Sequence, residues 1–466
     1  MFANPILDTD SYKASHWLQY PPGTDAAFFY VESRGGRYDR TLFFGLQAIL
    51  KAQFAAPVTD ANVDAAKVLF AAHGEPFNEA GWRRIVSQFG GRLPVRIRAA
   101  PEGTVVPTHN ALMTIESTDP ASFWLPSYLE TALLRVWYPT TVATLSWHVK
   151  QALRAALERT CDDPGAELPF KLHDFGSRGV SSQESAALGG LAHLVNFRGS
   201  DTVAAILAGR AWYHEPMAAL SIPAAEHSTI TAWGQAREAD AYRNMLVQFG
   251  RPGALFSVVS DSYDLYHAVR DLWGGELRQA VIDSGAVLVV RPDSGDPPRI
   301  VAETLGMLET AFGTTLNGKG FKVLNHVRVI QGDGVNPVSI GDILERIIAL
   351  GFSAENLAFG MGGGLLQQLD RDTQKFALKC SAARVDGRWI EVSKHPVTDP
   401  GKSSKAGRLM LQRNAAGDFR TVAQVDGAPA DPDWADALET VWEDGVLVRD
   451  QTLADVRARS ELPGGV

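Results

Sequence analysis

The sequence predicts an α/β chain: an irregular, TIM-like parallel β/α barrel accompanied by a second, discontinuous α+β domain. Three observations carry that expectation. Between Lys171 and Lys379, short apolar runs end again and again in polar or glycine-rich tips. They read His173-Asp174-Phe175-Gly176, Gly199-Ser200-Asp201, Ala225-Glu226-His227-Ser228, Ser260-Asp261-Ser262, Arg291-Pro292-Asp293-Ser294-Gly295, Gln331-Gly332-Asp333-Gly334 and Gly360-Met361-Gly362-Gly363-Gly364. Marked at Asp174, Asp201, His227, Asp261, Asp293, Asp333 and Gly362, the tips recur at intervals of 27, 26, 34, 32, 40 and 29 residues. That is about the length of one strand–helix unit, roughly 30 residues or more. No residue-level repeat accompanies the period, so it belongs to an architecture and not to a solenoid. Seven or more such units in a row predict a parallel barrel whose strand ends face one pocket. A doubly wound open sheet is the competing arrangement.

Composition narrows the class. With 466 residues, 45% hydrophobic and 21% charged, the chain has the make-up of a globular protein long enough for two domains. A net charge of −9 gives no support to nucleic-acid or anionic-membrane binding, so an anionic ligand must meet locally clustered Arg and Lys. The start, Met1 to Pro5, lacks the pattern of a signal peptide, and no apolar run is long enough to span a bilayer. Cys161 and Cys380 alone cannot build a disulfide framework or a zinc site. Their scarcity fits a reducing cytoplasm.

Taken in order, Asp8 to Gln19 predicts a short helix capped by Asp8 or Asp10 and stopped by Pro21-Pro22-Gly23. Phe28 to Glu32 predicts a strand. Helical spacing follows in Thr41–Ala55, Asp60–His73 and Phe77–Phe89. Val95–Ala99 alternates like a half-buried strand, and Leu112–Ile115 continues in that manner. Two more helices are expected in Phe123–Val136 and Thr140–Arg159, interrupted at Pro139. Cys161 to Gly165 is the clearest linker. Beyond Lys379 the pattern turns antiparallel, with Asp386-Gly387 marking a type I′ hairpin between Ala383–Val385 and Arg388–Val392. A basic run from Lys394 to Arg408 follows, and Leu453–Glu461 closes the chain as a helix. The expected division is residues 1–30 as an N-terminal segment packing with the barrel and a partner subunit, 31–165 with 380–466 as the α+β domain, and 166–379 as the barrel.

The tips suggest a chemistry. A glycine-rich turn before a helix, here Gly360–Gly364 ahead of a helix expected over Leu365–Thr373, offers bare N–H groups to a phosphate. Gln331-Gly332-Asp333-Gly334 is a second close-approach turn. Each glycine run alone also serves as a plain turn; together, late in a barrel series, they favour a phosphorylated ligand. Arg178, Arg291 and Arg371 flank tips, where a guanidinium grips phosphate oxygens. Elsewhere such an arginine is a surface charge. Asp261 and Asp293 suit a Mg²⁺ that keeps waters and bridges phosphates, or ribose hydroxyls, and equally suit helix caps. His227 stands between an apolar run and a helix start. With Glu226 or another tip carboxylate orienting it, the ring becomes a base or nucleophile; a lone histidine is otherwise structural or solvated.

Six motifs then resemble the nicotinamide phosphoribosyltransferase family, in the same order from about residue 5 to 410. They are Asp10-Ser11-Tyr12-Lys13 with Gln19-Tyr20-Pro21, His173 to Ser182, Ala224 to Ile230, Val258 to Asp264, Arg291 to Gly295 and Ile330 to Gly334. The resemblance implies a homodimer with active sites at the subunit interface. Phe175 and the partner's Tyr12 would sandwich the pyridine ring, as flat aromatic faces suit an electron-poor heterocycle. Asp201 would accept from the nicotinamide amide and repel the carboxylate of nicotinic acid. Arg178 and Arg291 would contact base and phosphates; Gly332, Asp333, Gly362 and Gly363, with Ser221 and Ser257, would line the phosphoribosyl site. Asp261 and Asp293 would serve the ribose or the Mg²⁺-diphosphate. Arg34, Arg371, Lys379, Lys394 and Lys402 match diphosphate or nucleotide contacts, some across the dimer. His227 matches a phosphorylated histidine through which ATP hydrolysis couples to the transfer. Ser177 departs from the pattern, being an aromatic position in familiar animal members.

The implied activity is transfer of phosphoribosyl from phosphoribosyl pyrophosphate to nicotinamide, giving nicotinamide mononucleotide and diphosphate in NAD salvage. Two readings compete with it. Nicotinate phosphoribosyltransferase shares the chemistry and is discriminated by Asp201. A non-catalytic phosphate-ligand-binding barrel predicts binding without turnover, against which His227, Asp261 and Asp293 stand together. A metal-dependent barrel hydrolase leaves the paired glycine loops unexplained.

Overall fold

In the computed structural model, which describes residues 4–394, 398, 404–425 and 431–461, the chain divides into two units. One comprises Met1–Thr144, Ala208–Pro216 and Leu369–Val466; the other comprises Leu145–Leu207 and Met217–Gln368. The division falls inside the long helix Trp137–Thr160, earlier than the Cys161–Gly165 linker. Pro139 lies in that helix's first turn, where a missing N–H costs nothing, so it does not interrupt the helix. Asp163 caps the short helix Pro164–Glu167 through a bond from Ala166 N, which puts structure where a bare linker is expected.

In the first unit, N-terminal and C-terminal segments share one seven-stranded antiparallel sheet. Its order is Arg388–Glu391, Phe376–Val385, Thr24–Ser33, Ala111–Ser117, Val95–Ala99, Glu439–Glu443 and Val446–Leu447. The long central strand Thr24–Ser33 is buried along most of its length because it pairs on both sides. The hairpin turn is where the sequence puts it, with Asp386 at φ 48° and Gly387 at φ 74°. Val63, Phe70, Trp82 and Ile85, from the helices Asp60–His73 and Glu79–Phe89, join the sheet's buried residues in one core. Several helices are shorter than their periodicity predicts. Thr41–Ala55 becomes a strand, Arg40–Leu42, then the helix Leu46–Ile49 and a π-turn, Leu50–Phe54. The expected Asp8–Gln19 helix is a 3₁₀ helix, Ser11–Leu18, and the Asp10 carboxylate accepts from Thr131 Oγ1 in place of a cap bond.

The second unit is the barrel. Six strands, all parallel, run in the order Gly199–Ser200, Leu172–Asp174, Leu357–Met361, Val327–Gln331, Val287–Arg291 and Leu255–Val259. The stretch from Leu220 to Ala225 joins the two edge strands. Leu220 bridges Gly199 and Ala224 bridges Ser257, both in parallel sense, with Leu220 N donating to Arg198 O at 2.8 Å and Ala225 N to Ser257 O at 2.9 Å. The open-sheet alternative fails on those bridges. The tip before His227 therefore ends an extended bridging segment and not a regular strand. Between the strands run helices such as Gln183–His193, Pro297–Phe312 and Pro337–Ala349, whose apolar faces lie buried. The helix expected over Leu365–Thr373 is only one turn, Gly363–Leu366; Asp370 starts a separate 3₁₀ turn, Arg371–Thr373, by accepting from Thr373 N.

Candidate active site

All seven tips belong to the barrel unit, and hydrogen bonds link neighbouring tips. Asp174, fully buried at the end of the Leu172–Asp174 strand, is the first fixed point. Its Oδ1 accepts from Gly176 N at 2.7 Å, its Oδ2 from Ser200 Oγ at 3.3 Å, and its carbonyl from Asp201 N at 3.0 Å. Burial pushes its carboxyl above the usual carboxylate range. One residue thus holds the tip that carries Phe175 and the tip that carries Asp201. The exposed Asp201 carboxylate accepts from Ser221 Oγ at 2.5 Å, tying its tip to the bridging segment.

Phe175 donates its backbone N–H to Met361 O at 3.0 Å, and its half-buried ring leans over the neighbouring strand. Its path is read from the glycines beneath it. A Cβ built on Gly332 would lie 3.5 Å from Phe175 Cε2, 3.2 Å from Asp293 Oδ1 and 3.7 Å from Arg291 Cδ. Phe175, Asp293 and Arg291 therefore meet over one bare Cα. The Arg291 guanidinium is 3.5 Å from the Asp293 carboxylate, a loose pairing that leaves both able to turn to a ligand.

His227 opens a short helix, His227–Thr231, and is 46% exposed. Its Nε2 is 3.1 Å from Asp261 Oδ1, whose side chain is only 5% exposed. The other Asp261 oxygen accepts from Asp293 N at 3.1 Å and Ser294 Oγ at 2.5 Å. The carboxylate that orients the ring is thus Asp261; that of Glu226 accepts from Ser228 instead. Ser257, buried within its strand, donates its N–H to Pro223 O at 2.9 Å. Asp333 is exposed, and its carbonyl accepts from Gln331 Nε2 at 2.7 Å. Gly362 borders Phe175 O, and Gly179, next to the exposed Arg178, borders Gly363.

The remaining candidates belong to the first unit. Tyr12 is 55% exposed, with the His16 ring at 4.9 Å. Arg34 pairs with Glu32 at 2.8 Å, and Glu32 also holds Lys405. Burial lowers the Lys379 ammonium below its usual value; Glu130 opposes this, and Arg34 and Lys394 add to it. These cations stand close enough to feel one another. Arg371 is exposed and pairs with its neighbour Asp372. Lys402 lies outside the described residues.

Two contributors escape a reading of motifs, Asp174 and Gly360. Asp174 reads as one more polar tip, and nothing in its neighbours says that its carboxylate is buried and taken up by Gly176 N and Ser200 Oγ. Gly360 reads as part of a phosphate turn, whereas it lies inside the Leu357–Met361 strand. Among the described residues there is no group of three or more His, Cys, Asp or Glu side chains placed to hold a metal ion, nor a helix long and apolar enough to cross a membrane.

Comparison with known proteins adds to this geometry. Residues 170–445 match the model of the nicotinate phosphoribosyltransferase (NAPRTase) family, and residues 4–97 match that of the nicotinamide phosphoribosyltransferase N-terminal domain. The chain is 67% identical to a nicotinamide phosphoribosyltransferase of Xanthomonas campestris pv. campestris over 459 residues, covering 98% of each chain. It is 30% identical to that of Acinetobacter baylyi, covering 98% of this chain and 97% of the other. Among solved structures, the fold matches a nicotinate-nucleotide pyrophosphorylase from Pyrococcus furiosus (TM-score 0.60, 16% identity, 98% of this chain and 95% of that one). It also matches human nicotinic acid phosphoribosyltransferase (TM-score 0.56, 17% identity, 97% and 93%).

Proposed function

Since the chain belongs to the nicotinate phosphoribosyltransferase family, within which its 67% identical relative is a nicotinamide phosphoribosyltransferase, we propose that the barrel tips transfer phosphoribosyl to nicotinamide. The substrates are nicotinamide and phosphoribosyl pyrophosphate; the products are nicotinamide mononucleotide and diphosphate, as in NAD salvage. The observation that carries the reading is the meeting of Phe175, Arg291 and Asp293 over Gly332, with His227 and Asp261 tied to the same Asp293 tip. An aromatic face, a cation and a carboxylate there supply what a flat base and a sugar phosphate require together.

In the transfer, the bond from C1 of the sugar to diphosphate breaks and the pyridine nitrogen takes its place. The sugar passes through a cation-like state, as in other glycosyl transfers. Phe175 holds the ring plane and Asp201 accepts from the amide N–H₂. Asp293 and Arg291 hold the ribose and diphosphate sides, and the backbone at Gly332, Asp333, Gly362 and Gly363 approaches the 5-phosphate. The carboxylate set suits Mg²⁺ that arrives on diphosphate. Asp261 already receives two donors besides the His227 ring, so Asp293 is the more open carboxylate. Such an ion neutralises charge on the leaving group.

ATP enters through His227. With one ring nitrogen given to Asp261, the other is the nucleophile for the γ-phosphorus; ADP leaves, and water later cleaves the N–P bond. We place the enzyme in the cytoplasm as a homodimer with shared sites. The test is product analysis with phosphoribosyl pyrophosphate, Mg²⁺ and either nicotinamide or nicotinic acid, with and without ATP. Nicotinamide mononucleotide formed preferentially, and faster with ATP, is expected. Preferential formation of the acid nucleotide would establish the nicotinate reading, and binding without product the non-catalytic one.

A further inference from the structure

A glycine inside a β-strand weakens it and often marks a close approach by something else. Gly360 is such a residue. It is not one of the glycines held at positive φ, so ordinary strand backbone accepts a side chain there and the reason for its absence is space. The space belongs to one neighbour. A Cβ on Gly360 would stand 1.9 Å from Phe175 Cε2, 2.2 Å from Cδ2 and 2.8 Å from Cζ, and these ring atoms are its three nearest contacts. Gly360 pairs with His173 in register, so Phe175, two residues on and on the same face, reaches back across the next strand. The same ring atom, Cε2, stands 3.5 Å from the corresponding point on Gly332. One edge of the ring sits between Gly360, inside its strand, and Gly332, the residue that follows the adjacent strand Val327–Gln331.

We propose that Gly360 is a positioning residue for the pyridine base: its bare Cα is the seat that sets how deep the Phe175 ring lies, and hence the height of the stacking face. The inference rests on the reading of Phe175 as the base-stacking residue. A methyl at 360 cannot move the Phe175 backbone cheaply, because Phe175 N is bonded to Met361 O and Gly176 N to the buried Asp174. The ring would rise into the space that the base needs, while groups around diphosphate stay in place.

The experiment is a double-mutant cycle on the full chain, with KM for nicotinamide and for phosphoribosyl pyrophosphate measured separately and folding followed by thermal melting. Gly360→Ala is expected to raise KM for nicotinamide at least about tenfold with KM for phosphoribosyl pyrophosphate within about twofold. In a Phe175→Ala background, Gly360→Ala is expected to change neither. Equal effects with and without the ring would overturn the proposal, since the methyl would then be acting on something else. If Gly360→Ala alone does not fold, the double variant decides. A melt and base KM like those of Phe175→Ala support the seat, and failure to fold without the ring refutes it. A Phe175→Ala enzyme with unaltered KM for nicotinamide would instead sink the base-stacking reading on which the proposal stands.

Discussion

Asp201 presents an exposed carboxylate pinned by Ser221, and in the proposed function that fixed charge meets the polar group of the base. An amide donates to it; a carboxylate is repelled, and like charges in contact cost several kcal/mol. Replacing Asp201 by Asn keeps the size and removes the repulsion. The expected outcome is a fall on the order of tenfold or more in the preference for nicotinamide over nicotinic acid, read from the ratio of the two kcat/KM values. An unchanged ratio would remove Asp201 from that role. Asp201, His227, Asp261, Asp293 and Arg291 are visible in the sequence as charged or titratable groups at the recurring tips, where each alone equally suits a cap or a surface charge. The partner of His227 is not legible. Asp261 lies 34 residues away in the chain, and only folding brings its carboxylate to the ring in preference to the adjacent Glu226. Gly360 is hidden for the opposite reason: its contribution is a missing side chain, and its beneficiary, Phe175, is far away in sequence.

Elements carry the next layer, and His193 shows how they are joined. At the end of the helix Gln183–His193 the ring is fully buried, with Nδ1 3.0 Å from Ser146 Oγ and Nε2 3.2 Å from Leu172 O and 3.3 Å from Gly199 O. Two carbonyl neighbours make Nε2–H the donor, so Ser146 donates to Nδ1 and the ring is neutral. Two barrel strands and two helices meet on that ring. Burial pulls its pKa down to about 3, with the His173 ring adding to the effect. In the unfolded chain the same ring titrates near 6.5. The sign follows: the unfolded state binds the extra proton, so this contribution is intact above pH 6.5 and is lost as pH falls toward 3. At about 1.4 kcal/mol per pH unit, acidification from pH 7 to 5 removes roughly 2 kcal/mol. A His193→Gln variant is therefore expected to be less stable at pH 7 and to lose less stability between pH 7 and 5, measured by urea unfolding. Equal losses in both proteins would show that this ring is not the titrating group. A helix after the His173–Gly176 tip follows from the strand–helix period. The role of its last residue does not, because strands from separate tips supply its partners.

At the scale of the whole molecule, the period of about 30 residues foretells the barrel, since one strand–helix unit has a nearly fixed length. It does not foretell that one wall is the bridging stretch Leu220 to Ala225, which pairs through isolated bridges and carries no strand signature of its own. The expected domain of both chain ends already groups Arg34 with Lys394; what local pattern does not show is that Lys379 joins them, which follows from pairing Thr24–Ser33 with Phe376–Val385. That unit also carries the short 3₁₀ helix on which Tyr12 and Leu18 are 55% and 57% exposed, an apolar display of the kind that marks a binding surface. If Tyr12 completes the base site of a second copy, each active site needs residues from two chains, and defects in different chains can compensate. A Tyr12→Ala chain and an Asp293→Ala chain, each inactive alone, are then expected to regain about one quarter of wild-type activity when unfolded together and refolded as an equal mixture. Random pairing makes half of the dimers mixed, and each mixed dimer has one site with both residues intact. Activity that stays at the level of the separate variants, in a mixture shown to contain mixed dimers, would mean that Tyr12 serves its own chain.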